Sequence, residues 1–188
     1  FMTSQNYCDI ICQKKIIKIL NQFIVVDNIL AIKFLLRKYP NLDINEYNKS
    51  GYTLFYKSCA EKSIYAFKTI LKHPRLEPNK KNSFNKKATI HIAVLIDNPE
   101  FLIEIIKLDS LNINLKDDMS DSPLHIAIKK NKIEFVKILL TNKNIDLNNE
   151  NSEKETALQI AKKLNLYKIC ELLESHSLTY TTIKELPL

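Results

Sequence analysis

A period of about 34 residues constrains this chain more than any other feature. An apolar position is filled by Phe55, Ile90, Leu124 and Leu158, and a small one three residues on by Ser58, Ala93, Ala127 and Ala161. A double-aliphatic pair reads Leu35-Leu36, Ile70-Leu71, Ile105-Ile106, Leu139-Leu140 and Leu172-Leu173. A short polar run recurs as Leu42-Asp43-Ile44-Asn45, Leu76-Glu77-Pro78-Asn79, Leu111-Asn112-Ile113-Asn114 and Ile145-Asp146-Leu147-Asn148. Landmarks of different chemistry do not keep one register over this length by chance. Each period is one supersecondary unit, and units that cannot bury their apolar face alone stack to do so.

The stretch from Asp117 to Asn148 shows how one unit is built. In Ser122-Pro123-Leu124-His125-Ile126-Ala127 the serine can cap a helix, and Pro123 sits at the first position, where a missing N–H costs nothing. Leu124 and Ala127, three residues apart, fall on one helix face. The run matches the T-P-L-H-x-A signature, and over roughly residues 30–174 the chain resembles the ankyrin-repeat family. The resemblance implies an all-α fold, an ankyrin-repeat solenoid of antiparallel helix pairs with protruding β-hairpin-like fingers. It implies one array: an N-terminal capping repeat over 8–48, central repeats over 49–82, 83–117 and 118–151, and a C-terminal capping repeat over 152–174. Residues 175–188 form a tail, with Leu178, Tyr180, Ile183 and Leu186 available to dock along the last helices. The tetratricopeptide repeat has a similar length but expects a Trp or other bulky residue early and no finger. This chain has no Trp, and its L-D-I-N runs alternate like short hairpin arms.

Glycine is the main departure from the family. Only Gly51 remains, and Lys62, Asp97, Asn131 and Asn165 stand between paired helices instead. Asn and Asp tolerate the left-handed backbone better than most residues, so an irregular turn is expected at Lys62. The cations, 26 Lys with Arg37 and Arg75, give a net charge of +7 but lack the forked donors that specific nucleic-acid recognition favours. No apolar run approaches the ~18 residues of a membrane span, and Lys14, Lys15 and Lys18 interrupt what would otherwise resemble a signal peptide. Cys8, Cys12, Cys59 and Cys170 show no paired spacing for zinc and no need for an oxidising compartment, which points to the cytoplasm. In a secreted effector that becomes the host cytosol.

Chemistry is not expected. One glycine is too few for a phosphate-cradling loop, so no cofactor is anticipated. His91 and His125 fall on the T-P-L-H histidine, whose ring the resemblance assigns to the turn backbone, with Tyr56 and Gln159 in the same register. His73 and His176 stand singly after helices, where a cation suits the dipole. Asp117-Asp118 look like paired carboxylates, but Asn48, Asn82 and Asn151 share the register of Asp117, which marks a turn. No catalytic residue and no metal ligand set is therefore assigned. The family resemblance implies instead a non-catalytic scaffold or adaptor that binds a partner protein through a concave finger and first-helix face. The alternative is the targeting domain of a larger enzyme or a secreted pathogen effector. The family's variable positions and their neighbours select Tyr52, Phe84, Lys86, Lys87, Met119, Asp121, Lys129 and Lys130 as partner-binding residues. The finger over 72–87 carries a net +5 and that over 109–121 a net −3, which suggests a partner with an acidic patch beside an apolar pocket.

Overall fold

Several helices in this chain begin where a side chain can close their first turn. The computed structural model describes the main chain of residues 4–184 and the side chains of residues 12–177. Within that range lie ten helices: α1 (Ser4–Val25), α2 (Ile29–Lys38), α3 (Leu54–Ala60), α4 (Ile64–Leu71), α5 (Thr89–Leu95), α6 (Pro99–Ile105), α7 (Pro123–Lys129), α8 (Ile133–Leu140), α9 (Ala157–Lys163) and α10 (Tyr167–Lys184). Thr53, Ser122 and Thr156 accept the N–H three residues on, from Tyr56, His125 and Gln159. The third helical residue answers back. His125 Nδ1 accepts the Ser122 N–H at 3.1 Å, and the Gln159 side-chain oxygen accepts the Thr156 N–H at 2.7 Å. This is the capping box with His or Gln in the answering role.

The turns between paired helices are regular where irregularity was expected. Lys62 takes the left-handed conformation (φ 59°), as do Asp27, Asn131 and Asn165. At each of the four, that residue and the next donate back to the helix: Lys62 N–H to Cys59 and Ser63 N–H to Ser58, Asn131 to Ile128 and Lys132 to Ala127, and so on. Two recovered hydrogen bonds outweigh the roughly 1–2 kcal/mol that a lysine loses in left-handed backbone. The exception is Asp97, which does not take that conformation. Asn98 precedes Pro99, and proline drives it into extended backbone (φ −143°, ψ 105°), so the turn is set from the proline side.

Two compact units, Phe1–Ile92 and Ala93–Leu188, divide the chain within α5. In the first, α1 packs on α2 and α3, and α2 and α3 both pack on α4. Ile17, Leu20 and Ile24 of α1 are buried along with Ile32, Leu54, Phe55, Phe67 and Ile70, and the Phe55 and Phe67 rings stack at 4.7 Å. In the second, α7 packs on α8 and α9, while α8 lies against α6 and α10. Phe101, Leu102, Leu124, Val136, Leu139, Ile160 and Ile169 fill its core. The small positions Ser58, Ala93, Ala127 and Ala161 are all completely buried, which is what lets neighbouring helices approach. The fold is all-α.

The L-D-I-N runs are turns, not hairpin arms. Asp43, Asn112 and Asp146 each accept the N–H two residues on, which diverts the backbone from a ladder. Among the described residues pairing is limited to the isolated bridges Lys81–Ala88 and Glu150–Thr156 at finger bases. The closing asparagines carry the load between periods. The Asn45 side chain donates to the Arg75 carbonyl at 2.6 Å and accepts the Glu77 N–H at 2.9 Å. Asn114 does the same with Asn144 and Asp146, at 2.7 and 3.0 Å. At the C-terminal end, α10 does not stop near 174 but runs through Ser175 to Lys184, so His176 lies inside a helix rather than after one. Its Nε2 contacts the Leu140 carbonyl at 3.0 Å. The side chains of Cys8, Leu178, Tyr180 and Ile183, and all of Leu186, lie outside the described residues.

Candidate functional site

Each finger is held by one side chain at its base. Asn48, Asp117 and Asn151 accept the N–H groups two and four residues on, while Asn82 accepts those of Phe84 and Asn85 in the finger that is one residue longer. Asp117 thus has the turn role its register suggested. The tips require left-handed backbone at Gly51, Lys86, Ser120 and Lys154. Neighbouring fingers join through main-chain bonds, Ser83 N–H to the Gly51 carbonyl (3.2 Å) and Ser152 N–H to that of Met119 (3.1 Å).

Gly51 is glycine for a further reason. A Cβ there would fall 1.8 Å from Ser83 Oγ and 2.9 Å from Phe84 Cε2. Gly51→Ala is therefore expected to cost more than the ~1–2 kcal/mol of backbone strain that Lys86, Ser120 and Lys154 already tolerate. It should also displace the Phe84 ring. Thermal denaturation with aromatic NMR shifts checks this, and a silent Gly51→Ala would mean that the two fingers separate freely.

The expected partner-binding residues do not form one class. In the N-terminal unit Tyr52 stacks on Tyr56 of α3 at 4.7 Å, and Phe84 meets Tyr52 edge-on at 6.5 Å. Phe84 is still 68% exposed, leaning over the preceding finger with one face open to solvent. Lys86 is exposed and Lys87 half-buried beside it. In the C-terminal unit Met119 is 54% exposed and Lys130 is exposed. Asp121, however, is buried and grips the Lys129 ammonium with both carboxylate oxygens at 2.8 Å. The next repeat copies this device, with Lys163 held by Glu155 at 2.7 Å and Glu153 at 3.6 Å. The hydrogen bond from Lys163 pulls the Glu155 carboxyl below its ordinary range, and Glu155 raises the ammonium in return. First-helix lysines here neutralise finger carboxylates, so Asp121 and Lys129 offer a partner little free charge.

The histidines are structural. His91 Nδ1 accepts the Ala88 N–H at 3.0 Å, as His125 does that of Ser122. Burial lowers the His125 pKa below its ordinary 6.5, although Asp121 and the Asn149 main chain pull the other way. The His73 pKa is lowered as well, by burial and by Arg75, and its Nδ1 accepts the Arg75 N–H at 3.3 Å. It is thus disfavoured as the helix-end cation expected of it. Among the described residues no cluster of three or more His, Cys, Asp or Glu could hold a metal.

Capped helix, finger and turn recur, and the family pattern for ankyrin repeats, in three copies, matches residues 90–182. The chain belongs to the ankyrin-repeat family. The search of curated proteins returned no match. Ankyrin-repeat domains generally mediate protein–protein interaction and are typically non-catalytic. No helix among the described residues is long and apolar enough to cross a membrane.

Within this ankyrin fold the His125 assignment has a testable sign. Its native pKa lies below the unfolded value, so the unfolded chain binds the proton more readily. Its contribution is complete above about pH 6.5 and is lost as pH falls through the native pKa. That of Glu155 is lost only in the more acidic window below 4.5. His125→Ala should cost roughly 1–3 kcal/mol by leaving the Ser122 N–H unpaired. His125→Gln should cost less, because Gln159 makes the same bond, and should flatten the midpoint between about pH 5 and 8. Equal losses in both variants would remove the turn-closing role.

Sequence reasoning passed over the partner of Tyr52 on α3, Tyr56, and the run Lys14-Lys15-Lys18. By register Tyr56 is only a histidine substitute, but the spacing of the lysines places them together on one helix.

Proposed function

We propose that this ankyrin array is a non-catalytic scaffold or adaptor that binds a partner protein through its finger and first-helix face, with Phe84 as an anchor. One observation carries the reading. Phe84 is a large aromatic ring, 68% exposed yet positioned by the Tyr52–Tyr56 stack, with Lys86 and Lys87 beside it. An exposed ring held in place loses little entropy on docking, and rigid aromatics dominate interface energetics. The lysines suit an acidic patch beside the partner's apolar pocket, and Met119 and Lys130 extend the same kind of surface in the C-terminal unit.

The test is binding kinetics on a partner recovered from lysate and then purified. Phe84→Ala should weaken binding by about 2 kcal/mol, roughly 30-fold in Kd, mostly through faster dissociation. Lys86→Glu with Lys87→Glu should slow association and reduce its salt dependence, since exposed charges chiefly steer encounter. Full-strength binding by Phe84→Ala would move the site off the fingers.

A further inference from the structure

A second surface in the N-terminal unit shares the finger that Phe84 leans over but does not include Phe84 itself. Between α1 and the finger over 46–50 runs an open cleft of about 1050 Å³. One wall is α1, which contributes Lys14, Lys15 and Lys18, and the opposite side adds Lys49 and Lys57. Lys57 is occupied by Glu61 at 2.5 Å. Among the described residues, the other four form no ion pair and Glu46 is the only carboxylate lining the cleft. The surface is not merely charged. Val25 and Val26, adjacent on the last turn of α1 and just past it, are 55% and 69% exposed into the same cleft, and Ile17 lies at its base.

The combination narrows the occupant. Four unpaired ammonium groups call for an anion. Lysine offers hydrated point charges rather than the forked donors that grip phosphate, and among the described residues the only aromatic ring lining the cleft is Tyr47, too few to stack successive bases. Exposed valines beside the lysines gain nothing from a nucleic-acid backbone and do gain from an apolar side chain. We infer that this cleft binds an acidic amphipathic segment of a partner protein, its carboxylates along Lys14, Lys15, Lys18 and Lys49 and its apolar residues on Val25 and Val26. The inference rests on the protein-binding reading above but uses different residues.

The experiment is fluorescence anisotropy on the full chain with a labelled model peptide, Leu at i, i+3, i+4 and i+7 of each helical stretch and Glu elsewhere. Poly-glutamate of equal length, an oligo-dT strand and phosphatidylserine vesicles serve as comparisons. The amphipathic peptide should bind best, and Lys14→Glu/Lys15→Glu/Lys18→Glu should weaken it at least about tenfold. Val25→Ser/Val26→Ser should weaken it without changing its salt dependence. Reversing Lys107, Lys137 and Lys168 to Glu changes net charge equally at exposed sites elsewhere and should leave affinity within about twofold. Lys15→Gln alone supplies a milder test should the triple reversal fail to fold. Equal losses in both triple reversals, or poly-glutamate binding as tightly, would overturn the inference by reducing it to net charge. Preference for oligo-dT or vesicles would overturn it in favour of phosphate. The probe reports on the cleft alone, so its failure leaves the finger site standing, and that site fails separately through Phe84→Ala.

Discussion

Leu124→Ala is expected to lower the unfolding free energy by about 2–5 kcal/mol, the range for truncating a fully buried leucine. Leu124 is 1% exposed and sits on α7, which packs against both α8 and α9. The lost transfer energy sets the lower end of that range. The rest depends on whether the cavity collapses, and α7 is fixed at its start by the Ser122–His125 capping box, which limits how far it can shift. Leu158 occupies the same register on α9 but is only partly buried, so Leu158→Ala should cost clearly less. Urea denaturation of both variants checks the pair, with the slope unchanged and the midpoint moved. A chelator should leave the midpoint where it is. Equal losses at the two leucines would mean that the register, rather than burial, sets the cost.

Lys132→Met is expected to cost about 2–3 kcal/mol, a large effect for a lysine. The Lys132 ammonium donates to the carbonyls of Val94 (2.9 Å), Leu95 (2.8 Å) and Ile96 (3.3 Å), and its side chain is only 16% exposed. It caps the end of α5 from the next repeat, where helix carbonyls have no partner of their own. The ammonium also lies 4.8 Å from the Phe135 ring centre and 2.9 Å from an Asp97 carboxylate oxygen. Asp97 is 90% exposed, so that ion pair contributes a few tenths of a kcal/mol to 1 kcal/mol at most. Removing the ammonium orphans carbonyls near the fully buried Val94, and the methionine keeps the aliphatic stem, so the loss measures the capping bonds. Asp97→Ala should be nearly silent. If Asp97→Ala costs as much as Lys132→Met, the ion pair carries the contact instead.

Several features were legible because they are local. The capping box joins Ser122 to His125, the finger turns join Asn48 to Tyr52 and Asp117 to Asp121, and the small positions follow three residues behind the apolar ones. Each depends on residues two to four apart, whose geometry the backbone largely dictates once a helix or turn forms. The recurring landmarks carried these local rules along the chain, and the T-P-L-H-x-A run at Ser122–Ala127 carried the family resemblance.

Where local preference competed with a distant contact or a following residue, sequence alone misjudged the outcome. Lys62 is a poor left-handed residue in isolation, yet helix-end hydrogen bonds hold it there, while the better-suited Asp97 is overruled by Pro99. Asp121 and Lys129, expected among the partner-binding residues, neutralise each other. Lys132 sits 36–38 residues from the carbonyls it caps, and Phe84 leans on Tyr52 from the next finger. Composition and period by themselves determined the helices, the turns and the repeat. Which exposed side chains face one another across neighbouring repeats, and hence which charges and rings remain for a partner, was decided only by stacking, because those contacts join residues brought close by packing rather than by chain.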